Sequence, residues 1–188
     1  MTYYSETINS VTKPTLAISG IRSYLFQIIL IASALILPSL AHLSGAPVRV
    51  FLPMHWPVIL AGLVYGWRSG LLIGISAPLI SFLLSGLPSP ISLPSMMLEL
   101  AAYGFITGFL RERLGLNSFI SIAVALILGR IIFIFSQIIF NTLPLSFNGY
   151  LKAAFLPGAV AAVCQIILLP FLAGFWIKKE RKFIKDNQ

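Results

Sequence analysis

Charge is what this sequence has least of. Only 10% of its 188 residues are Asp, Glu, Lys or Arg, against roughly 25% in an ordinary soluble domain. Acids are the scarcer sign, 5 against 13 Lys and Arg. That poverty excludes a water-solvated surface over most of the chain. A single cysteine, Cys164, inside an apolar run, excludes a disulfide framework and a cysteine metal cluster. The two histidines, His42 and His55, lack neighbouring ligands, so no zinc site is expected. No G-x-x-x-x-G-K-[ST] is present, which excludes P-loop ATP hydrolysis by this chain. H-E-x-x-H, C-x-x-C and the G-x-S-x-G nucleophile elbow are absent too. So is a duplicated half of the kind secondary transporters show. The net charge of +8 does not by itself imply nucleic acid, because the cations cluster between or beyond apolar runs and no nucleic-acid module accompanies them. The first twenty residues lack a short apolar core with a small-residue cleavage site, so no cleaved signal peptide is expected.

What is there is apolar. Hydrophobic residues make up 58% of the chain, and its mean hydropathy is +0.96. A membrane-spanning helix needs ~20 mostly apolar residues. Six such segments are readable: Ile21–His42, Pro53–Tyr65, Ser69–Ser85, Pro94–Leu110, Ser118–Phe140 and Ala153–Ile177. The second and third are short enough that a re-entrant pair is the alternative. The expected fold is an all-α integral membrane protein, a bundle of six transmembrane helices spanning residues 21–177. A polar segment, residues 1–20, precedes it and a basic tail, residues 178–188, follows it.

Lys and Arg set the orientation, because they concentrate in cytoplasmic loops. With both termini cytoplasmic, the inner side collects Lys13, Arg22, Arg68, Arg111, Arg113 and the five cations of the tail, leaving Arg49 and Lys152 outside. Residues Gly66–Gly70 then form a tight cytoplasmic turn. The tail "KKERKFIKDNQ" reads as a stop-transfer cluster beside anionic lipid.

Two charges remain at depth, Glu99 and Arg130. Intramembrane charges are costly and face a cavity or a partner. Glu99 lies ~18 Å along its helix from Arg111, and Arg130 ~20 Å from Asn117, at 1.5 Å per residue. If both helices start level at the cytoplasmic face, the two stand at similar depth, so a pair is feasible. Arg130, Gln137 and Asn141 share one face of the fifth span, Glu99 and Tyr103 one face of the fourth, and Ser81 and Ser85 one face of the third. These groups converge on the outer half of the bundle. They form either a structural salt bridge or a ligand pocket. Near the outer surface, His55 and Trp56 stand between Pro53 and Pro57. Proline in the first helical turn is well placed to start a helix. Trp56 suits an interfacial aromatic belt. His55 suits either a capping role or a polar-ligand site at the helix start. Glycines at 62, 66, 70 and 74, and at 104 and 108, recur four apart, the spacing that lets helix backbones approach in lipid. They serve packing within the chain or docking of another membrane subunit.

The stretches "LPMHWPVILAGLVYGWRSGLLIGISAPLISFLLSGLP" and "LPSMMLELAAYGFITGFLRERLG" resemble the substrate-binding S components of energy-coupling factor (ECF) vitamin transporters. The matching positions run from Pro53 and Pro57 through Gly62, Tyr65, Gly66, Gly70, Gly74, Pro78, Gly86 and Pro88 to Glu99, Tyr103, Gly104 and Gly108, and the likeness covers residues 20–178. It implies a binder of a water-soluble vitamin or related precursor, with no cofactor, working with a membrane-embedded coupling subunit and two ATPase subunits in a bacterial or archaeal cell membrane. It implies that His55, Trp56 and the groups around Glu99 line an outer pocket, and that the glycine-rich turn serves packing and coupling. Many members carry Ala-x-x-x-Ala in the first span; here Ala32 is followed by Ile36 and Ala34 by Pro38, so the docking surface is assigned broadly to the first three spans. From different classes come a standalone small-solute transporter or channel, and an intramembrane enzyme using Glu99 and a histidine.

Overall fold

The computed structural model describes residues 14–45, 51–140 and 156–186. Among these the chain is entirely helical, with no strand. Six helices follow in order: α1 (Gly20–Leu43), α2 (His55–Tyr65), α3 (Trp67–Ser85), α4 (Leu93–Glu112), α5 (Ser118–Ile139) and α6 (Leu156–Asp186). Five are long and apolar enough to cross a membrane. The exception is α2. Its 11 residues rise ~16 Å, about half of the ~30 Å hydrocarbon core. The second span expected from Pro53 is thus a half-length helix that begins at His55.

The physical sign of a lipid solvent is the outward face of α1. Ile21, Tyr24, Leu25, Ile28, Ile29 and Ile36 are all at least half exposed. Water would not tolerate a continuous apolar strip of this kind, and lipid does. Pro38, Pro78 and Pro170 lie inside α1, α3 and α6, as membrane helices permit when neighbours satisfy the freed carbonyls.

The centre of the bundle is α4, packed against α2, α3 and α5. Glycine sets that closeness. A Cβ placed on Gly70 would run into the carbonyl of Gly104, and one on Gly104 into the carbonyl of Gly70. Gly74 sits the same way against the backbone at Leu100 and Ala101, Gly62 against Gly104, and Gly108 against Trp67. The glycine ladder therefore joins α2, α3 and α4 of one chain. Without side chains at these crossings the backbones close directly on each other, and dispersion replaces any hydrophobic drive.

The turn between α2 and α3 is tighter than the sequence suggests. It is confined to Gly66, at φ 82°, and Gly70 is already helical. Glu112, at the end of α4, accepts a hydrogen bond from the Trp67 N–H at 3.2 Å. A carboxylate at a helix N-terminus satisfies an orphan donor and meets the positive end of the helix dipole. Any side chain at Gly66 would meet that carboxylate.

The C-terminal end also departs from expectation. α6 runs on to Asp186 instead of stopping near Ile177. Lys, Glu and Arg are good helix formers, and the extension is held: Arg22 donates from Nε and Nη2 to Glu180 at 3.0 and 3.1 Å, and lies 3.6 Å over the Phe183 ring. The Leu16 N–H donates to the Val64 carbonyl at 2.7 Å. These ties, with Glu112 at Trp67, bring the starts of α1 and α3 and the ends of α2, α4 and α6 together. Arg22, Arg68, Arg111, Arg113 and the basic turns of α6 thus share one end of the bundle.

Candidate functional site

Glu99 lies in the first half of α4, away from the cationic end, and is 4% exposed. Three groups from three helices converge on a single oxygen of its carboxylate. Tyr103, one turn further along α4, donates its phenol O–H to Oε1 at 2.8 Å. Arg130 of α5 brings Nη1 to 3.2 Å of Oε1. His55, the first residue of α2, brings Nε2 to 4.0 Å of Oε1. Its ring also tilts against that of Tyr103, with centroids 5.1 Å apart.

Small residues make room for this cluster. A Cβ on Gly129 would overlap the Tyr103 ring, so glycine beside Arg130 lets α5 lie against the phenol. On α6, a Cβ on Gly158 would come to 3.2 Å from Arg130 Nη2, leaving the guanidinium a shallow recess. Neither glycine stands in the four-residue series that marked the others. Their signal was position: one adjoins the half-buried cation Arg130, the other lies in the first turn of an apolar helix.

His55 does not cap α2. The N-cap is Met54, and no side chain bonds to the helix start. The imidazole is buried and makes no hydrogen bond through either ring nitrogen. Trp56 is half-buried and donates Nε1–H to the Phe51 carbonyl at 2.9 Å, fastening the chain that enters α2. Gln137 is buried on α5, seven residues beyond Arg130, next to buried Ser136. Asn141 lies outside the described residues.

Two cavities flank the cluster. The larger, of about 550 Å³, opens among the end of α1, residues 52–55, the end of α3 and the start of α4; His55, Ser81 and Ser85 are its polar lining along with Ser39. The smaller, of about 430 Å³, lies among α4, α5 and α6 and carries Tyr103, Arg130 and Gln165 among aliphatic side chains. Leu52, with its backbone in the left-handed region at φ 44°, borders both. Trp56 borders neither. Mostly apolar walls with few convergent polar groups are the usual composition of a small-molecule site. A buried ion pair is a poor source of stability, because desolvation offsets most of the attraction. Here Arg130 carries it to the wall of the smaller cavity.

Gln165 was not singled out from the sequence. It is fully buried on α6, and neither amide atom has a hydrogen-bond partner in the protein. A long polar side chain in the run "AAVCQIILLP" was the available signal. Among the described residues, no group of three or more His, Cys, Asp or Glu side chains is placed to hold a metal ion.

Comparison with known proteins gives one match. No curated protein and no solved structure matches the chain. The model of a family described as ECF transporter, substrate-specific component, matches residues 27–176, which takes in every residue of the Glu99 cluster. Members of this family are substrate-binding subunits of transporters and not enzymes. This multi-pass membrane chain belongs to the family of substrate-specific components of ECF transporters.

Proposed function

We propose that this chain captures a small water-soluble molecule, a vitamin or related precursor, at the outer face of a bacterial or archaeal plasma membrane. It hands that molecule inward through a membrane-embedded coupling subunit driven by two ATPase subunits. The observation that carries this reading is the convergence of His55, Tyr103 and Arg130 on one Glu99 oxygen, between two cavities. A packing bridge has no need of a flanking histidine with both ring nitrogens unbonded, nor of open space on either side. Both termini are cytoplasmic in this reading, with the cationic end of the bundle inside and the Glu99 cluster in the outer half. The binding set is His55, Glu99, Tyr103, Arg130, Gln137 and Asn141, with Trp56 beside it holding the chain that enters α2. The first three spans meet the coupling subunit, and the exposed apolar face of α1 supports that assignment.

The test is uptake by proteoliposomes, joined to native mass spectrometry of the purified chain. The chain alone retains a co-purified solute and moves none of it. Accumulation requires the coupling module with ATP on the inner side. Concentrative uptake by this chain alone, without ATP, overturns the proposal.

A further inference from the structure

Glu99 and its partners do not exhaust the polar groups around the smaller cavity. Of its fourteen lining residues, three are polar: Tyr103, Arg130 and Gln165. The Tyr103 hydroxyl is engaged with Glu99, and Arg130, the one charge, is offset by Glu99 3.2 Å away. The electrostatic balance across this wall is therefore close to zero. Gln165 is different. It borders the cavity, exposes no surface, and keeps both its amide nitrogen and its amide oxygen without a protein partner. A buried amide left unpaired is costly. Its surroundings on α6 are apolar, from Ala162 and Val163 to Ile166, and offer it no partner along the cavity wall.

A primary amide presents an acceptor and a donor side by side in one plane. Its complement is an N–H adjacent to a C=O. We infer that Gln165 recognises the paired N–H and C=O edge of a neutral lactam, cyclic urea or carboxamide, with the remainder of the ligand lying against the aliphatic walls of the 430 Å³ cavity. This inference rests on the proposal that the chain is a substrate-binding subunit, and names the chemical class its site takes. Neutrality follows from the Glu99–Arg130 pair: an anion would compete with Glu99 for Arg130, and a cation with Arg130 for Glu99. Because the amide exposes no surface to the cavity, the ligand edge reaches it only after a rotation of the Gln165 side chain.

The experiment uses full-length protein in lipid nanodiscs and two isosteric probes. 2-Quinolone carries the N–H beside its C=O; coumarin has a ring oxygen in place of the N–H. Binding is measured by titration calorimetry. Wild-type protein is expected to bind 2-quinolone at least about tenfold more tightly than coumarin, since a site built around a hydrogen bond rejects the analogue lacking it. Gln165→Met, unbranched and of similar length, is expected to bind both probes equally while melting no lower than wild type, because it removes an unpaired polar group from an apolar wall. Gln165→Leu is the second variant, should methionine pack poorly. Equal wild-type affinity for the two probes, no binding of either, or a preference that survives both substitutions overturns the inference. The proposed function fails separately, if coupled, ATP-dependent uptake is absent from the wild-type complex. Uptake that persists unchanged in Gln165→Met removes the role of Gln165 and leaves that function standing.

Discussion

Arg130 Nη1 stands 3.2 Å from Glu99 Oε1, so the two charges at depth are partners. Removing one side of a buried ion pair strands the other and costs ~3–5 kcal/mol. Glu99→Ala and Arg130→Ala are therefore expected to lower the melting temperature as well as to weaken retention of the co-purified solute. Gln137→Ala removes no charge and separates the effects: weakened retention with near-normal melting is expected. If Gln137→Ala retains the solute fully, and exchanging Glu99 and Arg130 restores the melting lost in the single mutants, the pair serves packing and the site lies elsewhere.

The crossing of α3 on α4 leaves no room for a methyl group at Gly70 or Gly104, because each faces the other's backbone carbonyl. Backbone cannot rotate aside as a side chain does, so Gly70→Ala and Gly104→Ala are expected to cost at least the ~1–3 kcal/mol of an overpacked core. Gly174→Ala on α6 is the control. Nothing lies within 4 Å of its added Cβ, and alanine is favoured over glycine in a helix by ~0.5–1 kcal/mol. Melting in nanodiscs ranks the three, and a stable Gly104→Ala protein would contradict the packing described.

Glu112 acts across a turn it is not part of. Glu112→Ala leaves the Trp67 N–H at the start of α3 without its acceptor and should cost ~0.5–2 kcal/mol, the range for loss of a helix cap. Amide exchange at Trp67 and Arg68 is the sensitive readout, because the effect falls within the first turn. Protection equal to wild type at both positions would show that the cap contributes nothing.

Topology is checked by cysteine labelling in a Cys164→Ala background. Ser89 and Leu114 are both exposed and lie at opposite ends of α4. Ser89→Cys is expected to label from outside intact cells, and Leu114→Cys only after permeabilisation. The reverse pattern would invert the protein and move the Glu99 cluster to the inner half.

Composition and spacing determined the class of this protein, because a bilayer imposes strict terms. Spans must be long and apolar, cations gather in loops, and a charge at depth needs a partner. Those terms made five of the helices legible, and they made Glu99 and Arg130 stand out as charges at similar depth that could pair. The four-residue glycine series was legible for the same reason. Whether it served this chain or another subunit was not, since small-residue spacing is the same for both; only the facing backbones of Gly70 and Gly104 decided that it joins α3 to α4. Tertiary structure likewise decided that His55 turns toward Glu99 instead of capping α2, that Glu112 bonds to Trp67, and that Arg22 holds Glu180 so that α6 runs on past Ile177. Each of these joins residues far apart in sequence through one or a few local contacts, which leave no periodic trace. Gln165 belongs with them. One glutamine in an apolar run is ordinary by composition, and it became informative only when packing buried it beside a cavity and gave its amide no partner.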